Sequence, residues 1–124
     1  MNALVLVMAG GALGAGLRHL VGRAALSALG AAWPWGTLFV NVSGGLAMGL
    51  LAATLSRMVS GEPWRLFLGV GVLGGFTTFS AFSLDAVMMM ERGAWAQMLA
   101  YVAASVLGSI AALALGFGLA RSAA

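Results

Sequence analysis

The chain has 124 residues, 62% of them hydrophobic and 7% charged, with a formal net charge of +3. Typical soluble domains are about 25% charged, so a chain this short and this poor in charge cannot cover itself in water; its solvent must be lipid. The absence of cysteine and the single histidine, His19, exclude disulfides, thiolate sites and an imidazole metal cluster within one subunit.

Charge-free runs at 1–17, 24–56, 66–84 and 93–120 set the elements, since a spanning helix needs about 20 mostly apolar residues. Met1–Gly16 is apolar and lacks a basic n-region, so it reads as a first transmembrane helix and not as a cleaved signal peptide. The second run is cut by Gly30 and by Trp33-Pro34-Trp35, and proline suits the first turn of a new helix. Ser60-Gly61-Glu62-Pro63 has turn composition and separates the second helix from the third. The reading is an all-α membrane protein: one four-helix domain over 1–124, with helices at about 3–29, 35–58, 64–91 and 94–120. Trp33, Trp35, Trp64 and Trp95 fall at the ends of these helices, where an indole buries its ring and keeps its N–H wet. An even helix count leaves both termini on one side of the membrane.

The basic pI invites a nucleic-acid reading, but six arginines spread singly, with no lysine, form no patch. Arg57, Arg65 and Arg121 fall on one side of the bilayer and Arg92, with Arg18 and Arg23 nearby, on the other. Lys/Arg asymmetry sets orientation, and here it is nearly absent. Either another signal fixes one orientation, or subunits insert both ways and pair antiparallel. The second reading is favoured, because four short helices alone make a poor pore. The pairs Gly10/Gly14, Gly45/Gly49 and Gly71/Gly75, each four apart, supply flat faces for close pairing without naming an interface.

The third helix carries Gly74-Gly75-Phe76-Thr77-Thr78-Phe79-Ser80-Ala81-Phe82-Ser83. Paired glycines followed by threonines are weak helix formers. An interrupted helix is tolerated in lipid only where protein or a cavity satisfies the freed backbone, and freed carbonyls can ligate cations. Composition leaves a broken and a continuous helix equally open. Phe79 and Phe82 share a face, and a ring edge is electropositive enough to meet an anion; on spacing alone such residues more often pack or face lipid.

On the fourth helix Tyr101, Ser105 and Ser109 stand at i, i+4 and i+8, an aligned track of hydroxyl donors of the kind a dehydrated anion needs. Isolated serines commonly bond their own i−4 carbonyls instead; three in register fit that less well. Thr37 and Asn41 on the second helix are again four apart, and the amide can donate to an anion. Arg18, within the first helix, either lines an aqueous vestibule or snorkels to the interface. A partner arginine or a solvated helix end would explain Asp85 equally well. No Walker sequence, metal-ligand cluster or nucleophile–base pair can be assembled, so the chain does not read as an enzyme.

The run Gly74–Phe82 resembles the Gly-Gly-Phe-Thr-Thr-Phe-Ser-Thr-Phe signature of the fluoride channels called Fluc or CrcB. Gly10–Ala15 leading to Arg18, Gly36–Asn41, and the Tyr101/Ser105/Ser109 stripe are similar to that family in the same order, so the resemblance covers nearly the whole chain. Ala81 stands where members often carry threonine, one hydroxyl fewer. The resemblance implies a dual-topology antiparallel homodimer with two fluoride pores in the bacterial inner membrane. Asn41, Phe79, Phe82, Tyr101, Ser105 and Ser109 would line the pores, with Thr37 beside them and Arg18 at a vestibule. Backbone carbonyls around Gly74, Gly75 and Thr77 of both subunits would hold a structural sodium ion.

Fluoride binds water tightly, so a pore must replace its hydration with several modest donors in series. No carboxylate is expected on this path, which favours passive, electrogenic flow and relief of fluoride toxicity. A proton-coupled multidrug exporter, the main alternative, needs a membrane-embedded acid, and the first helix has none. A non-transporting regulatory subunit would show only generic helix packing, which the hydroxyl stripe exceeds.

Overall fold

The computed structural model describes residues 2–123; the ends of the 1–124 reading, Met1 and Ala124, lie outside the described residues. Helix α1 covers Ala3–Leu29, and the Asn2 side chain closes its first turn by accepting from Leu4 N–H at 2.7 Å. It stops at Gly30, whose φ of 80° is a left-handed conformation that favours glycine. Helix α2 covers Trp35–Leu55, about three residues shorter than the composition suggests. There Ser56 Oγ bonds the Ala53 carbonyl, and the Arg57 and Met58 N–H groups fold back onto Thr54 and Leu55, so the chain turns before the charged residues reach the helix.

The third span is composite. A short turn α3 (Glu62–Trp64) opens with Pro63 and runs into a π-helical segment, Arg65–Leu73. The single turn α4 (Gly74–Phe76) follows, then Thr77 and Thr78 in extended conformation, and then α5 (Phe79–Glu91). Gly93, with φ of 75°, turns the chain into α6, Trp95–Ser122. Trp35, Trp64 and Trp95 stand at element ends and are well exposed; Trp33, in the α1–α2 loop, is half-buried. Four helical stretches (Ala3–Leu29, Trp35–Leu55, Glu62–Glu91 and Trp95–Ser122) are long and apolar enough to cross a membrane, with mean hydropathies of 1.6, 1.7, 1.6 and 2.1. Leu4, Leu20, Leu99, Leu107 and Ile110 point outward, as a surface solvated by lipid allows.

Glycine decides the packing. Helix α1 lies on the π-helical segment and α4, and backbone meets backbone there: a Cβ at Gly71 would stand 2.9 Å from Gly10 Cα, and one at Gly75 would stand 2.6 Å from the Gly11 carbonyl oxygen. Helices α2 and α6 form the second close pair, with Gly45 against the Ser109 carbonyl and Gly49 against that of Leu113. The glycine pairs are therefore consumed inside one subunit. This agrees with the expectation that they are close-packing faces and supplies the interface it left unnamed; small residues let backbones approach, and here the partner backbone is the chain's own. The buried cluster Phe82, Met89, Met98 and Tyr101 ties α5 to α6.

Candidate functional site

The extended residues Thr77 and Thr78 organise the site. Thr77 Oγ1 donates to the Leu73 carbonyl at 2.9 Å, closing the turn before them. Thr78 Oγ1 accepts from Ala81 N–H at 3.1 Å and caps α5. Between these two caps, Asn41 of α2 takes over the free backbone. Its Oδ1 accepts from Thr78 N–H at 2.8 Å and its Nδ2 donates to the Thr78 carbonyl at 2.9 Å. A backbone N–H and C=O away from water must be paired, and a side-chain amide offers a neutral donor and acceptor side by side, as a peptide group does. One Nδ2 hydrogen remains for another ligand.

Beside this clamp is a cavity of about 350 Å³ lined by Asn41, Thr77, Thr78, Phe79, Phe82, Ser105 and Ser109, with Val106 and Ile110. Ser105 and Ser109 bring hydroxyls to it that are buried and, among the described residues, without a hydrogen-bond partner. Elsewhere in the same chain the default holds: Ser43, Thr54, Ser83 and Ser122 each bond the carbonyl four residues back. The track serines do not, and a buried donor left unsatisfied costs about 1–3 kcal/mol.

Aromatic rings run alongside. Phe79 and Phe82 have centroids 5.5 Å apart, and Phe82 and Tyr101 5.3 Å apart. The edge-on contact of Trp33 with Tyr101, at 5.8 Å and 86°, continues the row to the α1–α2 loop. Tyr101 is fully buried, and its hydroxyl donates to Asp85 Oδ2 at 2.9 Å. Two sequence readings change here. Asp85 is partnered by a tyrosine and not by an arginine, and a carboxylate does stand within hydrogen-bonding distance of the track. The spacing of Asp85 within α5 gave no sign of this, because the pairing is made between helices.

Arg18 donates through Nε to the Gly75 carbonyl at 3.0 Å. It lines a separate chamber of about 290 Å³ with His19, Arg23, Thr37, Thr78 and Ala81. Thr37 also reaches a third cavity at the α1–α2 loop and does not line the serine-lined cavity. Ala81 faces the arginine chamber, so the hydroxyl it lacks belongs there and not beside Ser105.

A multi-pass helical membrane protein with a neutral, donor-rich cavity beside its third span is the class that fold and site define. A family model described as "CrcB-like protein, Camphor Resistance (CrcB)" matches residues 5–117, and the chain belongs to that family. It is 60% identical to a Chelativorans protein (strain BNC1) over 98% of both chains. It is 54% identical to proteins of Caulobacter (strain K31) and Sphingopyxis alaskensis over 98% of this chain and 96% and 97% of theirs. All three relatives carry the name "Fluoride-specific ion channel FluC". With its four membrane-length helices, the chain is a multi-pass bacterial membrane protein.

Proposed function

We propose that this protein is a passive, electrogenic fluoride channel and not an enzyme, working in the bacterial inner membrane as an antiparallel, dual-topology homodimer with two pores. The relatives' shared name supports the ion. The observation that carries the reading is the pair of buried hydroxyls of Ser105 and Ser109, unpartnered among the described residues, in a cavity that Asn41, Phe79 and Phe82 also line. Such donors suit an anion that has shed water: each hydroxyl gives one hydrogen bond, and the ring edges of Phe79 and Phe82 add weak positive faces. Neutral donors in series bind without trapping. The extended Thr77-Thr78 pair is, in this reading, the mid-membrane break of the third helix, held open by Asn41. A second copy fits the exposure of Phe79, which is 77% exposed although its neighbour Phe82 is only 8% exposed, so the wall is open on that side of a single subunit.

The family's structural sodium ion fits part of the expected donor set. Gly74's carbonyl loses its usual helical donor, the Thr78 N–H, to Asn41, and Thr77 is extended. Those two carbonyls would hold the ion, whereas that of Gly75 already accepts from Arg18. A hard cation between such oxygens neutralises their dipoles where two subunits meet.

Purified protein in liposomes, read with fluoride and chloride electrodes, tests the function. Fluoride efflux that depends on a potassium shunt, with no chloride efflux, is the expected result. Proton-driven uptake of a lipophilic cation would move the assignment to an exporter, and with it the role of Asp85. Antiparallel assembly is checked by crosslinking in native membranes, where copies all facing one way would refute it.

A further inference from the structure

A groove of about 610 Å³ lies where α2 ends and the third span begins, and it shares no lining residue with the serine-lined cavity. Met48, Leu51, Leu55 and Met58 make its apolar wall, and Glu62 and Arg65 are its charged residues. Helix α2 stops at Leu55, and the turn after it leaves Met58 and Val59 exposed. At Gly69 the wall lacks a side chain: an added Cβ would meet Leu51 Cδ2 at 3.5 Å and Met48 Sδ at 3.8 Å, both ordinary contacts. The groove therefore has room at its floor that no backbone fills. From Met48 to Leu55 it follows α2 for about two turns, ~10 Å along the helix axis. Both flanking elements are membrane spans, and Trp64, 52% exposed, stands beside Arg65 as an interfacial indole does. The groove thus opens where lipid headgroups meet acyl chains.

The charged mouth has a defined hydrogen-bonding edge. Arg65 Nε donates to Glu62 Oε1 at 3.0 Å, and Nη2 donates to the same oxygen. A guanidinium carries five N–H donors, so three remain, and Glu62 Oε2 accepts nothing among the described residues. Both side chains are more than half exposed, and an exposed ion pair contributes little to stability. What the pair presents is a donor-rich cation beside an anion with a free acceptor, at zero net charge. A phosphoethanolamine headgroup is the complement, since its phosphate accepts and its ammonium donates. A headgroup with a phosphate alone would meet the Glu62 carboxylate as a like charge.

We propose that this groove binds one zwitterionic phospholipid of the phosphatidylethanolamine type. Its phosphate rests on Arg65, its ammonium on Glu62 Oε2, and one acyl chain runs past Gly69 along Leu51 and Met48. The lipid is a partner separate from the transported ion, and the inference holds whichever ion the protein conducts.

The test offers the full chain in detergent equal amounts of phosphatidylethanolamine and phosphatidylglycerol with identical acyl chains, and counts retained lipids by native mass spectrometry. Wild type should favour phosphatidylethanolamine by about three- to tenfold, the worth of one charge-assisted hydrogen bond at an exposed mouth. Glu62→Gln removes the charge that receives the ammonium and should abolish this preference. Gly69→Leu fills the floor of the groove and should lower retention of both lipids by a similar factor. Added phosphatidylethanolamine should raise the melting temperature of wild type and leave that of Gly69→Leu unmoved. Equal retention of the two lipids by wild type, a preference for phosphatidylglycerol, or an intact preference in Glu62→Gln overturns the proposal. So does a groove covered by a second copy, seen as no retained lipid and a dimer that Gly69→Leu dissociates. If Gly69→Leu does not fold, Glu62→Gln, a change to an exposed side chain, decides alone.

Discussion

Asn41 and Thr78 are joined by two hydrogen bonds in opposite senses, the pattern of a strand ladder made by a side chain: 2.8 Å from the Thr78 N–H to Oδ1 and 2.9 Å from Nδ2 to the Thr78 carbonyl. The asparagine therefore has two duties, holding extended backbone within an apolar span and presenting its remaining amide hydrogen to the cavity. Asn41→Asp removes the donor and sets a carboxylate against the Thr78 carbonyl. Loss of a buried partner costs about 1–3 kcal/mol, so both thermal stability in detergent and fluoride efflux should fall, the latter at least about tenfold. Unchanged stability with lost efflux would assign Asn41 to the pore alone; unchanged values of both would remove it from the site.

Ser105→Ala and Ser109→Ala carry an opposite sign in their two readouts. Because neither hydroxyl has a partner among the described residues, its removal relieves a burial penalty, and stability should hold or rise by about 1 kcal/mol. Fluoride efflux should nonetheless drop, since a donor to the ion has gone. Ser43→Ala is the control: that hydroxyl bonds the Phe39 carbonyl at 2.6 Å, lies outside the track cavity, and should leave efflux unaltered. Melting temperatures and efflux rates measured on the same preparations check this, and a stability loss at Ser105 would show that the hydroxyl has a structural partner.

The four spans and the stripe of Tyr101, Ser105 and Ser109 were legible because both are local: hydropathy gives the first and a spacing of four the second. Partners across helices were not. Nothing near Asn41 in sequence announces that it binds Thr78, and nothing near Asp85 announces Tyr101. Trp33 looked like Trp35, Trp64 and Trp95, since a membrane-interface tryptophan and a half-buried one have the same neighbours in the chain. The π-helical pitch of Arg65–Leu73 was likewise invisible, because an apolar, glycine-bearing run fits either pitch. The glycine pairs were read correctly as close-packing surfaces, but a small-residue stripe does not name its partner; only the arrangement of helices shows that Gly71 meets Gly10.

That arrangement makes a steric prediction. Gly75→Ala places a methyl group 2.6 Å from the Gly11 carbonyl oxygen and Gly71→Ala one 2.9 Å from Gly10 Cα. Backbone cannot yield as a side-chain tip can, so α1 must move away, at about 1–3 kcal/mol for overpacking. Gly16→Ala and Gly118→Ala, where an added Cβ meets nothing within 4 Å, should be neutral or slightly stabilising through helix propensity. Thermal unfolding and gel-filtration monodispersity across the four variants will separate the two groups. Equal behaviour would mean that α1 does not rest on the third span as described.

The hydroxyl of Tyr101 is already committed to Asp85 at 2.9 Å, so it cannot at the same time donate to an ion passing Phe82. Tyr101→Phe keeps the ring and its neighbours at 5.3 and 5.8 Å and leaves Asp85 without its donor. A hydrogen bond to a charged group contributes about 1.5–3 kcal/mol, and a double-mutant cycle of Tyr101→Phe with Asp85→Asn should return a coupling of that order. Efflux should separate the track from its support: Tyr101→Phe removes no donor to the ion and should reduce flux less than Ser105→Ala. If Tyr101→Phe instead abolishes flux while the cycle shows no coupling, the hydroxyl faces the ion and the carboxylate is incidental.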